Sequence, residues 1–319
     1  MKKTKIKKIF LFTIGFIIML LLGMTIYNHI MLTKEAELIK ANGTFVTVDG
    51  YKMHVYTEGA TGNKPTLLVM SAYGTAAPVY DYKVLYSKLS NENHTVVVEK
   101  FGYGYSDISG LPRDVDTVVK EYRKALKLSG ENGPYVLMPH SMSGLEALYW
   151  AQHYPNEVSS VVGLDMAVPE FYQYKSNNPF INFFGSPEFL KAMVFMGLDR
   201  IPGTGLVSDR GLTKAEFDQN QYLTFKMLLN KDVIAESNAV DSNAQIVREG
   251  GVPNIPILMF SSNGDGTGLR DKWVQCERNF AGQSGKIKLI ELDCSHMIQY
   301  YKSDYIAKVI RDDLQDVFP

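Results

Sequence analysis

Apolar residues follow three different rhythms along the 319-residue chain. From Ile9 to Tyr27 (IFLFTIGFIIMLLLGMTIY) they run without a charge. At about 1.5 Å per residue those roughly 19 positions reach about 28 Å, enough to cross a hydrocarbon core. Further on come short apolar or β-branched runs: Thr66 to Met70, Thr95 to Lys100, Pro134 to Pro139, Val158 to Asp165, Pro256 to Ser262 and Ile287 to Asp293. Such runs are expected of strands buried on both faces. Thr44 to Asp49 and Tyr51 to Thr57 flank Gly50 and predict a hairpin. Apolar residues at helical spacing fill the gaps, as in Val79 to Leu89 and Asp116 to Leu128, and a last helix is predicted from about Ser303 to Val317.

Strands and helices that alternate this regularly predict an α/β fold, a mostly parallel central sheet with helices on both faces. One segment breaks the alternation. From about Met166 to Gly251 no strand pattern occurs, and three helical stretches do. Ser186 with Pro187 opens the first, running to about Leu198. Thr213 and Glu216 form a capping box that opens the second, and the third ends near Gly250 and Gly251, with Pro253 beyond. The predicted organisation is a basic tail (1–8), a membrane helix (9–29), a polar linker (30–43), a core (44–165 and 252–319) and a helical insertion (166–251).

Charge adds a location. Lys2, Lys3, Lys5, Lys7 and Lys8 precede the apolar run and favour a cytoplasmic N-terminus, which sends the body outside as a single-pass, signal-anchored domain. A cleaved signal peptide is the alternative, but Gly23-Met24-Thr25 makes a poor cleavage site. Without those five lysines, the remaining 28 basic residues face 34 acidic ones, about −6. A mildly acidic body carries no footprint for nucleic acid. Cys276 and Cys294 are the two cysteines; an oxidising compartment would let them pair, and two separate buried thiols is the simpler reading. No spacing suggests a metal site, and nothing marks an obligate protein partner.

LMPHSMSGLEALYWA, residues 137 to 151, reads as a strand, a tight turn at Ser141 and a helix. That is the layout of a nucleophile elbow, G-x-S-x-G, with Pro139 and Ser143 in place of the glycines. Ser141 could equally be a helix N-cap. A nucleophilic serine needs a base and a group that orients the base. Of the six histidines, His29 lies at the membrane, His54 in a strand, His94 in a turn, His153 along a helix, and His140 beside Ser141 but pointing away. His296 follows the last strand, where strand ends gather, and is the expected base. Asp265 in SSNGDGTG is the expected acid, with Asp165 the rival at the end of the preceding strand. The same turn fails as a calcium loop, since counting from Asn263 puts Val274 where a bidentate Glu belongs. The N–H groups of Met142 and Tyr73 are the expected oxyanion donors, Tyr73 from the loop Ser71-Ala72-Tyr73-Gly74-Thr75.

With these pieces the chain from about residue 44 onward resembles the α/β-hydrolase superfamily. PHSMSGLEALYWA is similar to that family's GHSMGG elbow, EKFGYGYSD to its D-x-x-G-x-G-x-S turn, and NGD and CSHMIQ to its acid and histidine loops. VMSAYGT stands where many members have a His-Gly pair. The resemblance implies a serine hydrolase without cofactor or metal, acting on a small-molecule substrate, with the insertion as a cap. Ser at 141 disfavours the haloalkane dehalogenases and epoxide hydrolases, which attack with a carboxylate. If several of Phe171, Tyr172, Tyr174, Phe180, Phe183, Phe184, Phe189, Met193, Phe195 and Met196 face the cleft, the ester is hydrophobic. Aminopeptidase activity, with Glu170, Glu188 or Glu236 holding a free amine, and a non-catalytic binding module are the alternatives.

Overall fold

Asp49 and Gly50 both take positive φ, 50° and 88°, and so form the two-residue turn that matches the twist of paired strands. They join β1 (Thr44–Val48) to β2 (Tyr51–Glu58), with Val48 opposite Tyr51. The computed structural model of the protein describes residues 2–62, 65–175, 179, 183, 185–201 and 207–317. The other strands are β3 (Thr66–Met70), β4 (Thr95–Glu99), β5 (Tyr135–Ser141), β6 (Val158–Met166), β7 (Ile257–Ser261) and β8 (Ile287–Glu291). They form one 8-stranded sheet in the order β1-β2-β4-β3-β5-β6-β7-β8. β2 pairs antiparallel with β1 and β4, and every other pairing is parallel.

Successive residues of the central strands feed two apolar layers. Leu68 and Leu137 pack on one face with α4 (Val115–Ser129) and α5 (Ser143–His153); Leu67, Val136 and Met138 pack on the other with Leu85 and Leu89 of α3 (Lys83–Leu89). Both faces are covered, which is why these strands read as continuous apolar runs. The predicted helix from Val79 is split at Tyr82 into α2 (Pro78–Asp81) and α3.

Between β6 and β7 the described residues hold helices and no strand: α6 (Pro187–Phe195), α7 (Lys214–Met227) and α8 (Lys231–Gly250). Ser186 and Thr213 cap the first two as expected, and Asn230 caps the third. Phe180 and Phe184 lie outside the described residues. After β7 come α9 (Arg270–Ala281), β8 and α10 (Ile298–Val317), the last starting earlier than predicted and broken at Lys302. Cys276 and Cys294 are unpaired thiols.

α1 (Lys2–Ala36) contains a window of mean hydropathy 2.6 and is long and apolar enough to cross a membrane. It runs through the start of the expected linker and docks on the helical excursion. Asn28 Nδ2 donates to the carbonyls of Val194 (3.1 Å) and Phe195 (3.3 Å), and Arg200 reaches Glu35 through both guanidinium ends at 2.8 and 2.7 Å. A Cβ on Gly197 would stand 2.8 Å from that of Asn28, so the backbones meet only because the residue is glycine.

Candidate active site

Ser141 is the last residue of β5 and has φ +55°, a conformation that costs a residue with a side chain about 1–3 kcal/mol. The strain is held by the elbow's own bonds. The Ala167 N–H donates to Ser141 O at 2.7 Å, and Met142 then turns into α5 with no side-chain cap. The capping reading of Ser141 therefore has no hydrogen bond behind it.

The two departures from G-x-S-x-G are accommodated differently. Pro139 sits opposite Met70 near the end of β5, where a missing N–H disturbs little of the ladder. Ser143 is fully buried, and its hydroxyl accepts the His140 N–H at 2.9 Å while lying 2.9 Å from the carbonyls of Met70 and His140. It ties the turn to β3. Close approach of helix and sheet falls one residue later: a Cβ on Gly144 would stand 2.3 Å from Ala167 O.

His296 Nδ1 is hydrogen-bonded to Asp165 Oδ2, not to Asp265. This corrects the expected acid. Asp165 is fully buried at the end of β6, and its Oδ1 accepts the Ser262 N–H (2.6 Å) and Trp273 Nε1–H (3.1 Å). Burial works against its charge, but the His296 hydrogen bond and charge and the Ser262 donors outweigh it and hold the carboxyl below the usual range. The Asp265 carboxylate is 53% exposed and pairs with Arg270 at 3.2 Å. Gly264, Gly266 and Gly268 all have positive φ, and this tight turn faces the carboxylate outward while the Asp265 carbonyl accepts the His296 N–H at 2.9 Å. Asp265 thus fixes the histidine loop through its backbone. With Nδ1–H on Asp165, His296 Nε2 is the free acceptor.

Ser141 and His296 line one cavity of about 510 Å³ with Ala72, Tyr73 and Gly74. A larger cavity, about 790 Å³, lies between α9 and the end of β8 and contains neither. In the loop after β3, the N–H of Ala72 donates to Tyr82 Oη (2.9 Å), that of Gly74 to Tyr103 Oη (3.2 Å) and that of Thr75 to Ala72 O (3.3 Å). The N–H groups of Tyr73 and Met142 have no hydrogen-bond acceptor among the described residues.

Two supports escaped the sequence reading. His140 is buried and does not simply point away: its Nε2 meets His296 O at 3.0 Å and its Nδ1 meets Tyr82 Oη at 2.8 Å. A nitrogen facing a carbonyl must carry the proton, so Nδ1 accepts from Tyr82. Burial, then the nearby His296, pushes His140 down to about 3 and keeps it neutral. A chain of bonds thereby joins the Ala72 loop to the His296 backbone. Behind Gly74, Lys100 Nζ is buried between Glu146 (2.8 Å) and Glu236 (2.6 Å), and Tyr103 donates to Glu236 at 2.7 Å. Burial lowers the Lys100 pKa, but the two carboxylates more than offset it and raise it. A lysine closing an apolar strand and a glutamate inside an apolar helix were the available signals.

The helical excursion contributes Ser208, Arg210, Thr224 and Leu228 to the cavity wall. Among the described residues none of the expected aromatics lines it: Phe171 packs on Trp273, and Phe195 on His29. Glu170 and Glu188 do not line it either, and Glu236 is held by Lys100 and Tyr103.

No protein-family model matches the chain. The uncharacterized protein YbdG of Bacillus subtilis (strain 168) is 34% identical over 326 residues, covering 98% of each chain. Monoacylglycerol lipase ABHD6 of Bos taurus is 28% identical over 141 residues, 43% of this chain and 40% of that protein. Among solved structures, the enol-lactonase from Burkholderia xenovorans LB400 matches with TM-score 0.62 at 16% identity, over 85% of this chain and 100% of its own. The Bacillus megaterium epoxide hydrolase matches with TM-score 0.64 at 17% identity, over the same 85% and 100%. At such identities the structures speak for the fold alone.

Proposed function

We propose that this chain, which belongs to one family with YbdG and has the α/β-hydrolase fold, is a serine hydrolase that cleaves a small carboxylic ester through an acyl-enzyme. Ser141 Oγ attacks the ester carbonyl as His296 Nε2 takes its proton, and the oxyanion is received by the N–H groups of Tyr73 and Met142. Collapse of the tetrahedral adduct breaks the bond to the alcohol, whose oxygen takes the proton from His296. Water then attacks the Ser141 ester by the same route and releases the acid. Asp165 holds the imidazole in the Nδ1–H form and stabilises its cation.

The observation that carries this reading is a strained Ser141 opening onto the same cavity as a histidine backed by a buried, ionised aspartate. A fluorophosphonate probe should label the purified protein and miss Ser141→Ala. Equal labelling of both would falsify the assignment.

The apolar stretch of α1 is the anchor in this proposal, with the lysines on the cytoplasmic side and the catalytic body outside. The segment 166–251 is the cap. Its exposed Phe183, Leu190 and Phe195 are not in the cleft wall, so the expectation of a hydrophobic ester has no support from them.

A further inference from the structure

The wall of the cavity beyond His296 carries a polar group that the hydrolytic reading leaves unused. Asp81 closes α2, is 8% exposed, and lines the same cavity as Ser141 and His296. Its Oδ1 accepts from Asn220 Nδ2 at 3.2 Å and from Tyr300 Oη at 3.1 Å. Thr224 Oγ1 donates to Asn220 Oδ1 at 3.3 Å, which fixes the amide with its NH2 toward the carboxylate. Tyr300 is held in turn, since Arg210 donates to its carbonyl at 2.6 Å and stacks on Tyr301 at 4.8 Å. No lysine or arginine pairs with Asp81 among the described residues. Burial pushes its carboxyl up to about 6, the donors from Asn220, Tyr300 and the Ala77 backbone N–H offsetting part of that cost.

A buried carboxylate without a counter-charge is an expensive way to accept three neutral hydrogen bonds, from Asn220, Tyr300 and the Ala77 N–H. The carboxylate differs from an amide in having acceptor capacity left over and no donor of its own. It therefore suits a ligand that brings O–H groups into the cavity. Asp209 and Arg210 both line this wall and offset each other's charge, so comparison with an aminoethyl ester separates a cation from a hydroxyl. The side is also indicated: His296 returns its proton to the departing oxygen, and Tyr300 and Tyr301 continue the chain from His296 along that wall.

We propose that Asp81 and Tyr300, with Asn220 holding Asp81 from behind, form a subsite for the leaving alcohol, and that this alcohol is a short polyol bearing free hydroxyls. The proposal rests on the serine-hydrolase reading above. Free hydroxyls of the alcohol donate to Asp81, and the ester bond is presented to Ser141 with its alkoxy oxygen toward His296.

The test uses the full chain in detergent and compares kcat/KM for 2,3-dihydroxypropyl butyrate, propyl butyrate and 2-aminoethyl butyrate. The wild type should favour the dihydroxypropyl ester over the propyl ester by about tenfold or more, and Asp81→Asn should bring that ratio close to one. The ratio is read rather than either rate, so loss of folded enzyme cancels. Asp81→Ser, which leaves a cavity that water can fill, should lose the preference too. A wild type indifferent to the hydroxyls, a ratio unchanged in Asp81→Asn, or a preference for the aminoethyl ester each overturns the polyol subsite. Failure of the fluorophosphonate probe to label Ser141 overturns the hydrolase reading instead, and so separates the two.

Discussion

His296 takes its carboxylate partner from Asp165, 131 residues earlier in the chain, while Asp265 gives it only a backbone carbonyl. The two aspartates therefore part company under mutation. On the proposed mechanism Asp165→Asn removes the acceptor that fixes the imidazole tautomer, and kcat should fall by about 10³- to 10⁴-fold. Asp265→Asn leaves the carbonyl in place and removes a half-exposed ion pair with Arg270, so kcat should change less than about threefold. Steady-state hydrolysis of a p-nitrophenyl ester by both variants decides between them. The reverse ranking would restore Asp265.

At the elbow, restoring the family pattern should do harm. Ser143→Gly takes away the acceptor of the buried His140 N–H and the link to Met70, a loss of about 1–3 kcal/mol. Thermal unfolding should show it as a lower Tm. Gly144→Ala puts a methyl group within 2.3 Å of Ala167 O, and backbone cannot yield as a side chain does. That variant should fold poorly or lose labelling at Ser141. A Gly144→Ala protein as stable and reactive as wild type would place the close approach elsewhere.

Much of this was legible in the sequence because the physics was local. Continuous apolar strands, the Asp49-Gly50 turn and the Thr213-Glu216 box each specify structure within a few residues, and each is found. That Ser141 and His296 line one cavity was legible because chain order and strand ends bring them together in a parallel sheet. Which carboxylate meets His296 was not, since Asp165 at the end of β6 and Asp265 in the turn after β7 stand on the same edge of the sheet. What separates them is burial: Asp165 stands in the apolar GLDMAV, where an ionised group must find partners, and Asp265 in a glycine turn that faces water. Pairings across long separations, such as Lys100 with Glu236 or Asp81 with Asn220, depend on how the helical excursion folds back, and no local pattern encodes that.

Tyr103 joins the excursion to the loop after β3, because its hydroxyl accepts the Gly74 N–H and donates to Glu236. Tyr103→Phe keeps the ring but lets the loop shift beside Tyr73. On the proposed mechanism a change of this kind acts on the developing oxyanion more than on the bound ester. The expected result is a kcat about 5- to 30-fold lower with KM within about twofold, from roughly 1–2 kcal/mol of lost positioning. A rise in KM at unchanged kcat would make Tyr103 a binding residue instead.

His140 gives stability a pH dependence of known sign. An exposed imidazole titrates near 6.5, and burial takes this one to about 3. Between those values the unfolded chain binds a proton that the folded chain refuses, so stability falls as pH falls through this window. At pH 5 the His140 contribution is at most about 2 kcal/mol relative to neutral pH. Asp81, pushed up to about 6, acts oppositely in part of the same range. The measurement is therefore a difference: denaturant unfolding of wild type and His140→Gln from pH 7 to pH 5. The gap in stability between the two should shift toward the variant by about 2 kcal/mol as pH drops, and a constant gap would mean His140 is not neutral by burial.

Arg200 decides whether α1 is a tether or part of the body. Its guanidinium lies 4.0 Å from the Phe225 ring centroid and holds Asn28 and Glu35, which are only 3% and 5% exposed. Removing it leaves a buried carboxylate without a cation, a loss of about 3–5 kcal/mol if nothing moves. The cheaper response is for α1 to swing off α6 and let Glu35 reach water. Arg200→Ala in detergent should therefore raise hydrogen exchange in residues 28–42 and around Val194 and Phe195, with β5 and β6 still protected. Arg200→Lys should restore part of the protection, since a point charge can meet Glu35 but not grip both its oxygens. Uniform deprotection of the whole domain would show instead that the clamp is integral to the fold, and unchanged exchange would show that α1 is held by its apolar contacts alone.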